Sequence, residues 1–269
     1  MKRFLASILV LLLALSASAF ALAEEDQSLA AIQEKGQFIL GLDAHFLPMG
    51  YLNEQNEIVG FDIDLAKEVC ARLGVELVTQ PIEWAAKELE LATGNIDCIW
   101  NGMSVTPERE ESMALSDAYL SNDMILVVKA DGGIATRDDL QGKVLAVQSG
   151  SYAEELIEGE GLKAVYDTLA EVLAYEDYLM AIMDLQNDNV AAVFIDSVMA
   201  EFLLADLGDE NLIIVENLEA DRFAVGFRKE DVALRDKVNE IFKEMKADGA
   251  MGEIATAWFG SDTTIISAE

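Results

Sequence analysis

Positive charge is scarce in this chain. It has 18 Lys and Arg against 50 Asp and Glu, a formal net charge of −32. Such a surface repels phosphate and anionic lipid headgroups, which argues against nucleic acid as a partner. Histidine occurs once, at His45. Without a second imidazole beside a carboxylate cluster there is no metal signal, and no cofactor motif is present. Proline occurs three times and no low-complexity stretch or short-period repeat interrupts the chain, so no flexible linker is expected. Long apolar runs are confined to the N-terminus. The charge excess still does not indicate disorder, because 52% of the residues are hydrophobic and fall in periodic segments. A length of 269 residues suffices for one sizeable domain or two lobes.

Residues 1–23 have the form of a cleavable secretory signal. Lys2-Arg3 precedes an apolar run from Phe4 to Leu15, and Ala19-Phe20-Ala21-Leu22-Ala23 supplies small residues for cleavage after Ala23. The alternative is an uncleaved membrane anchor, disfavoured by the short apolar core. Cysteine is limited to Cys70 and Cys98. An exported location permits a disulfide between them. One lies on the apolar face of a helix and the other in a strand, however, which favours two buried thiols.

Periodicity outlines an α/β chain. Glu24 to Gly36 reads as a short helix or arm, Phe38 to Gly41 as a strand, and Asp43 to Pro48 as a loop at its carboxyl end. Ile63, Ala66, Cys70 and Leu73 recur at helical spacing with Gly74 placed to end the helix. Val75 to Val78 is the next strand, and Glu83 and Trp84 occupy the loop after it. Met124 to Val128 is strongly apolar, and Asp131-Gly132-Gly133 marks a turn. A second unit follows, with strands at Val144 to Gln148, Leu173 to Tyr175 and Ala191 to Ile195. Its helices are expected from Ser151 to Glu158, from Asp177 to Leu185 and from Asp196 to Leu207, and Leu212 to Val215 completes it. Phe223 to Phe227 reads as a returning strand. Leu234, Val238, Ile241, Phe242 and Met245 form the stripe of a last long helix.

The most informative stretch runs from Gly94 to Arg109. Ile96 to Trp100 reads as a buried strand that Asn101-Gly102 breaks, with Gly102 allowing close approach of a ligand to the backbone. Ser104 and Thr106 supply hydroxyls, and Thr106 can cap a helix whose first residue is Pro107. Arg109 then projects from the first turn, where its paired donors fit a carboxylate. The alternative is that Arg109 only offsets Glu108, Glu110 and Glu111 on a solvated face. In open α/β sheets, ligands bind at such carboxyl strand ends.

This stretch resembles the signature of the amino-acid-binding proteins that serve ABC importers, the polar amino acid family of extracellular solute-binding proteins. The matching features are Asp97 in the strand region, Gly102-Met103-Ser104, Thr106-Pro107-Glu108-Arg109 and Ser116-Asp117-Ala118-Tyr119, where Ala118 replaces the usual proline. Gly60-Phe61-Asp62-Ile63-Asp64-Leu65-Ala66, Asp248-Gly249 and Trp258-Phe259-Gly260 extend the resemblance over nearly all of the mature chain, Ala257 departing from the family's lysine. It implies an α/β, type II periplasmic-binding-protein-like fold of two lobes. Lobe 1 would comprise 24–120 and 223–269, and lobe 2 would comprise 121–222, with crossing hinge segments near 119–123 and 220–224.

The resemblance also implies a site. Arg109 would hold the ligand α-carboxylate, assisted by Ser104 and by backbone donors at Ser151 and Tyr152. That pair opens a helix whose amides attract an anion, though it also fits an ordinary capped helix start. Asp196 would take the α-ammonium, and as a sequence feature alone it reads as an N-cap. The carbonyl of Gly102 would help to hold the zwitterion, and Phe46 and Trp84 would sandwich the aliphatic stem. Asp43, Asn101 and Gln148 would face the side chain. Because Asp43 only accepts hydrogen bonds when ionised, it favours glutamine or a basic amino acid over glutamate. Gln148 replaces the lysine of glutamine-binding relatives, and His45 is expected to be an exposed loop residue.

The expected function is non-enzymatic capture of a free amino acid for a membrane-embedded ABC permease, as a monomer. No cysteine precedes Cys70 to carry a lipid anchor, which points to a soluble periplasmic protein. The alternatives are a prephenate or arogenate dehydratase-like enzyme, with Glu83 as the pocket-edge acid, and an extracellular sensor. The sensor is disfavoured because the chain ends at Glu269 without a membrane segment.

Overall fold

The computed structural model describes residues 26–268, so the signal expected over 1–23 lies outside the described residues. Helix α1 (Ser28–Lys35) leads into strand β1 (Gln37–Leu42), whose alternate residues Phe38, Leu40 and Leu42 are buried. The loop after β1 contains two short strands, β2 (His45–Phe46) and β3 (Gly50–Leu52), which with β4 (Ile58–Val59) form a small antiparallel sheet. Helix α2 (Phe61–Leu73) buries Ile63, Ala66, Cys70 and Leu73, the stripe expected from their spacing. Cys70 and Cys98 are both free and buried.

Gly60 makes the entry to α2 possible. Its φ is +148, and a Cβ there would lie 2.2 Å from the carbonyl oxygen of Met49. The same oxygen accepts the amide of Asp62 at 2.9 Å, so neither chain can give way without losing that bond. Gly60→Ala is therefore expected to destabilise the protein by about 3 kcal/mol. Urea unfolding measures this, and an unchanged midpoint would refute it.

Strand β5 (Glu76–Pro81), helix α3 (Lys87–Ala92), strand β6 (Cys98–Ser104), helix α4 (Pro107–Ser112) and strand β7 (Met113–Leu115) complete the first part of the chain. Strand β6 does not end at Trp100. It runs through Asn101 and Gly102 because it pairs with β1 near its start and, through Met103 and Ser104, with Ala224 and Phe223 near its end. A register shift between Ala224 and Gly226 accompanies the +62 φ of Gly102.

Strand β8 (Leu120–Lys129) leads to β9 (Val144–Gln148), α5 (Tyr152–Glu158), α6 (Lys163–Tyr166), β10 (Glu171–Tyr175), α7 (Tyr178–Gln186), β11 (Ala192–Asp196) and α8 (Ser197–Leu207). The next strand differs from expectation. Leu212 to Val215 and Phe223 to Phe227 are the two ends of one strand, β12 (Leu212–Arg228). It pairs antiparallel with β8 from Leu212–Lys129 to Phe223–Leu120, and bulges between 214 and 216 and between 217 and 219 absorb the register. Helices α9 (Val232–Asp248) and α10 (Ala250–Phe259) close the chain, and the five stripe residues of α9 are buried.

The main sheet runs β10-β9-β11-β8-β12-β6-β1-β5, with β7 beside β12. Its two halves are parallel units, β5, β1 and β6 on one side and β10, β9 and β11 on the other. The long antiparallel pair β8 and β12 crosses between them. The α/β architecture of two lobes with two crossing segments is thus present, and the carboxyl ends of both parallel units border a shared cleft. No helix among the described residues is long and apolar enough to cross a membrane.

Candidate functional site

Each half of the cleft is assembled from residues just beyond a parallel strand. Phe46 follows β1, Trp84 follows β5, and Asn101, Gly102 and Ser104 form the end of β6. Across the cleft, Gln148, Ser151 and Tyr152 lie at the end of β9 and Asp196 ends β11. These nine residues and Arg109 surround one cavity. It measures about 10 Å³, close to one water-sized sphere. A ligand larger than water therefore enters only as the two walls part.

Arg109 owes its place to local chemistry. The Thr106 hydroxyl accepts the amide of Arg109 at 3.2 Å, and Pro107 starts the helix. The guanidinium is 3% exposed, so it does not belong to a solvated face of charges. Its Nη1 donates to the carbonyl of Ser104 at 2.9 Å and its Nη2 to Glu155 Oε1 at 2.5 Å on the opposite wall. Nε is buried without a partner, leaving a donor for a carboxylate. Gly102 is held from behind. Its amide donates to Asp62 Oδ2 at 2.8 Å, which also accepts the Tyr119 hydroxyl at 2.8 Å. Full burial without a cation pushes Asp62 up to about 7.

Several expected roles are altered by the geometry. The Ser151 amide donates to the Gln148 carbonyl at 3.2 Å, because the turn before α5 closes on itself, so it is not a free anion donor. The Ser151 hydroxyl caps α5 by accepting the Glu154 amide. Asp196 occupies the N-cap position of α8 but makes no capping bond. Its carboxylate turns instead to Asn122 Nδ2 at 2.7 Å. Burial, followed by the charge of Asp221, pushes Asp196 up to about 8.

Asp43 does not line this cavity. Its Oδ2 accepts Gln148 Nε2 at 2.7 Å and its Oδ1 accepts the His45 amide, so the pair bridges the cleft. Asp43 borders an adjoining outer cavity of about 440 Å³, together with Glu83, Trp84, Glu90, Glu176 and Asp177. Hydrogen bonding and charge from Glu176 raise Glu83 above the usual carboxylate range. The His45 side chain is 52% exposed, with Nδ1 3.4 Å from Asp43 Oδ1. Asn101 Oδ1 accepts the Asp43 amide at 3.1 Å, while its Nδ2 is buried without a partner.

Four residues escaped the sequence reading. Glu155 sits four positions after Ser151, so helical spacing alone would have placed both on one face. Lys87 is 2% exposed and donates to the Gly150 carbonyl across the cleft at 2.7 Å, with Nζ 5.1 Å from the Trp84 ring. Asn122 and Asp221 lie on the crossing strands, where no local pattern marks them. Among the described residues, no group of three or more His, Cys, Asp or Glu side chains is arranged to hold a metal.

The profile of the bacterial extracellular solute-binding proteins, family 3, matches residues 38–261. The arginine-binding extracellular protein ArtP of Bacillus subtilis is 31% identical over 84% of this chain and 87% of its own length. An ABC uptake transporter substrate-binding protein from Streptococcus pneumoniae, solved with bound histidine, superposes with a TM-score of 0.86. It is 37% identical over 90% of this chain and 99% of that one. An ancestral amino acid-binding protein described as a precursor of cyclohexadienyl dehydratase superposes at 0.78 with 28% identity, over 86% of this chain and 99% of that one. With that profile spanning both halves of the cleft and these relatives matching most of its length, the chain belongs to the bacterial extracellular solute-binding proteins of family 3.

Proposed function

We propose that this protein captures a free basic amino acid outside the cytoplasm, arginine foremost, and delivers it to an ABC permease. In this reading Arg109 takes the α-carboxylate, Asp196 the α-ammonium, and Phe46 and Trp84 the aliphatic stem. Ser104, Gly102, Ser151 and Tyr152 complete the inner wall, and Asn101, Gln148 and Asp43 border the side chain. The boundaries at 120/121 and 222/223 separate the lobes that close on the ligand. A soluble periplasmic monomer belongs to the same proposal.

The observation that carries the ligand class is the acidic outer cavity. Its five carboxylates, Asp43, Glu83, Glu90, Glu176 and Asp177, border the inner cavity through Trp84. A guanidinium or ammonium side chain reaching outward would meet acceptors there, whereas the side-chain carboxylate of a glutamate ligand would be repelled. ArtP, named for arginine, and the Streptococcus pneumoniae protein solved with bound histidine agree with this class.

Calorimetric titration with arginine, lysine, histidine, glutamine and glutamate tests the proposal, run beside an assay of prephenate turnover. Saturable binding is expected for arginine, at least tenfold tighter than for glutamate, without turnover. Glutamate as the tightest ligand would reject the basic class, and phenylpyruvate production would reject a purely binding role.

A further inference from the structure

Asp196 has a second carboxylate behind it. Asn122 donates from Nδ2 to Asp196 Oδ1 at 2.7 Å and to Asp221 Oδ2 at 2.9 Å. Its own oxygen accepts the Ser197 hydroxyl at 3.2 Å, which fixes the amide's orientation. Asp221 belongs to β12 in the crossing segment and is not part of the cavity wall. Its Oδ1 is buried and accepts no hydrogen bond.

Three further charged or titratable groups face the pair: Arg109 from α4, Tyr152 from α5 and Tyr178 from α7. Arg109 is the one cation among them, and its guanidinium is already engaged by Ser104 and Glu155. Two desolvated carboxylates that share one amide strongly disfavour double ionisation. Burial raises both acids, and the charge of Asp221 adds to the rise of Asp196.

We propose that the Asp196–Asp221 pair holds one proton before the ligand enters, and that the ligand's α-ammonium displaces this proton into solvent as it docks on Asp196. The inference rests on the amino-acid-binding reading above. The ammonium enters with its charge unchanged, the pair passes from one negative charge to two, and one proton passes to water or buffer. No covalent bond other than that O–H changes. Asp221 acts as a positioning residue, keeping Asp196 protonated until a cation arrives. Affinity then tightens as pH rises, by up to about tenfold per unit, and the effect levels off above about pH 8, where Asp196 ionises unaided.

The test is calorimetry of the mature chain with L-arginine at pH 7 in phosphate, HEPES and Tris. The slope of observed enthalpy against buffer ionisation enthalpy counts the protons released. Native protein is expected to release about one. Asp221→Asn removes the like charge, so Asp196 ionises earlier and the release falls, although burial alone still raises Asp196. The variant retains Asp62 and the Glu83–Glu176 pair, so any release due to them persists. Asp221→Glu keeps a carboxylate and restores the release.

A native slope of zero overturns the inference while leaving amino-acid capture intact, and this measurement needs no variant to fold. An equal slope in Asp221→Asn also overturns it. Absence of binding heat with every amino acid of the panel would remove both readings together.

Discussion

Arg109→Ala is expected to weaken arginine binding by roughly 10²-fold to a few thousandfold, because deleting one partner of a buried charge pair costs about 3–5 kcal/mol. The guanidinium is almost wholly enclosed and links the Ser104 carbonyl on one wall to Glu155 on the other. In the variant a ligand carboxylate would lose its water and gain no cation in return. Folding should survive, since Glu155 is 35% exposed and can regain water when its partner is lost. Calorimetry gives the affinity and circular dichroism the fold. Affinity within threefold of native would remove Arg109 from the site.

Asp196→Ala is expected to have an effect of the same order from the other end of the ligand. Its carboxylate is 5% exposed and forms part of the cavity wall, so an ammonium docked against alanine would be desolvated without an acceptor. Nα-acetylarginine lacks that ammonium and should bind the native protein just as poorly. Tight binding of the acetylated ligand would show that Asp196 does not read the amine. The double variant with Arg109→Ala should lose less than the sum of the two single losses, because both groups grip one molecule.

Asp196 also sets a pH dependence of stability. Its folded value of about 8 lies above the ordinary aspartate value of 3.8, so between these the folded state retains a proton that the unfolded chain has released. The unliganded protein should therefore lose stability as pH rises through that window. Asp62, raised to about 7, contributes with the same sign. Asp196→Asn does not titrate and should flatten the decline between pH 5 and 8, as followed by the thermal midpoint.

Local chemistry made much of this molecule legible. Thr106, Pro107 and Arg109 form a cap, a helix start and a first-turn side chain within four residues, so tertiary context had little to add to their arrangement. The stripes of α2 and α9 follow from spacing. Local propensity ends the strand before Asn101 and Gly102, because it cannot register the partners Ala224 and Phe223, more than a hundred residues away. Local propensity divides the single long β12 for a related reason: its bulged middle is polar, yet it is held by pairing with β8.

The sequence by itself determined the α/β segments and the cap and helix start at Thr106, Pro107 and Arg109, while the family resemblance, and no local pattern, put Arg109 and Asp196 forward as charges for the two ends of a ligand. Only the tertiary structure decided what those charges touch. Arg109 meets Glu155 across 46 positions, Asn122 reaches Asp196 across 74 and Asp221 across 99. Periodicity reports which face of an element is buried. It carries no information on which side chain from the other lobe arrives there, because closure of the cleft sets that contact.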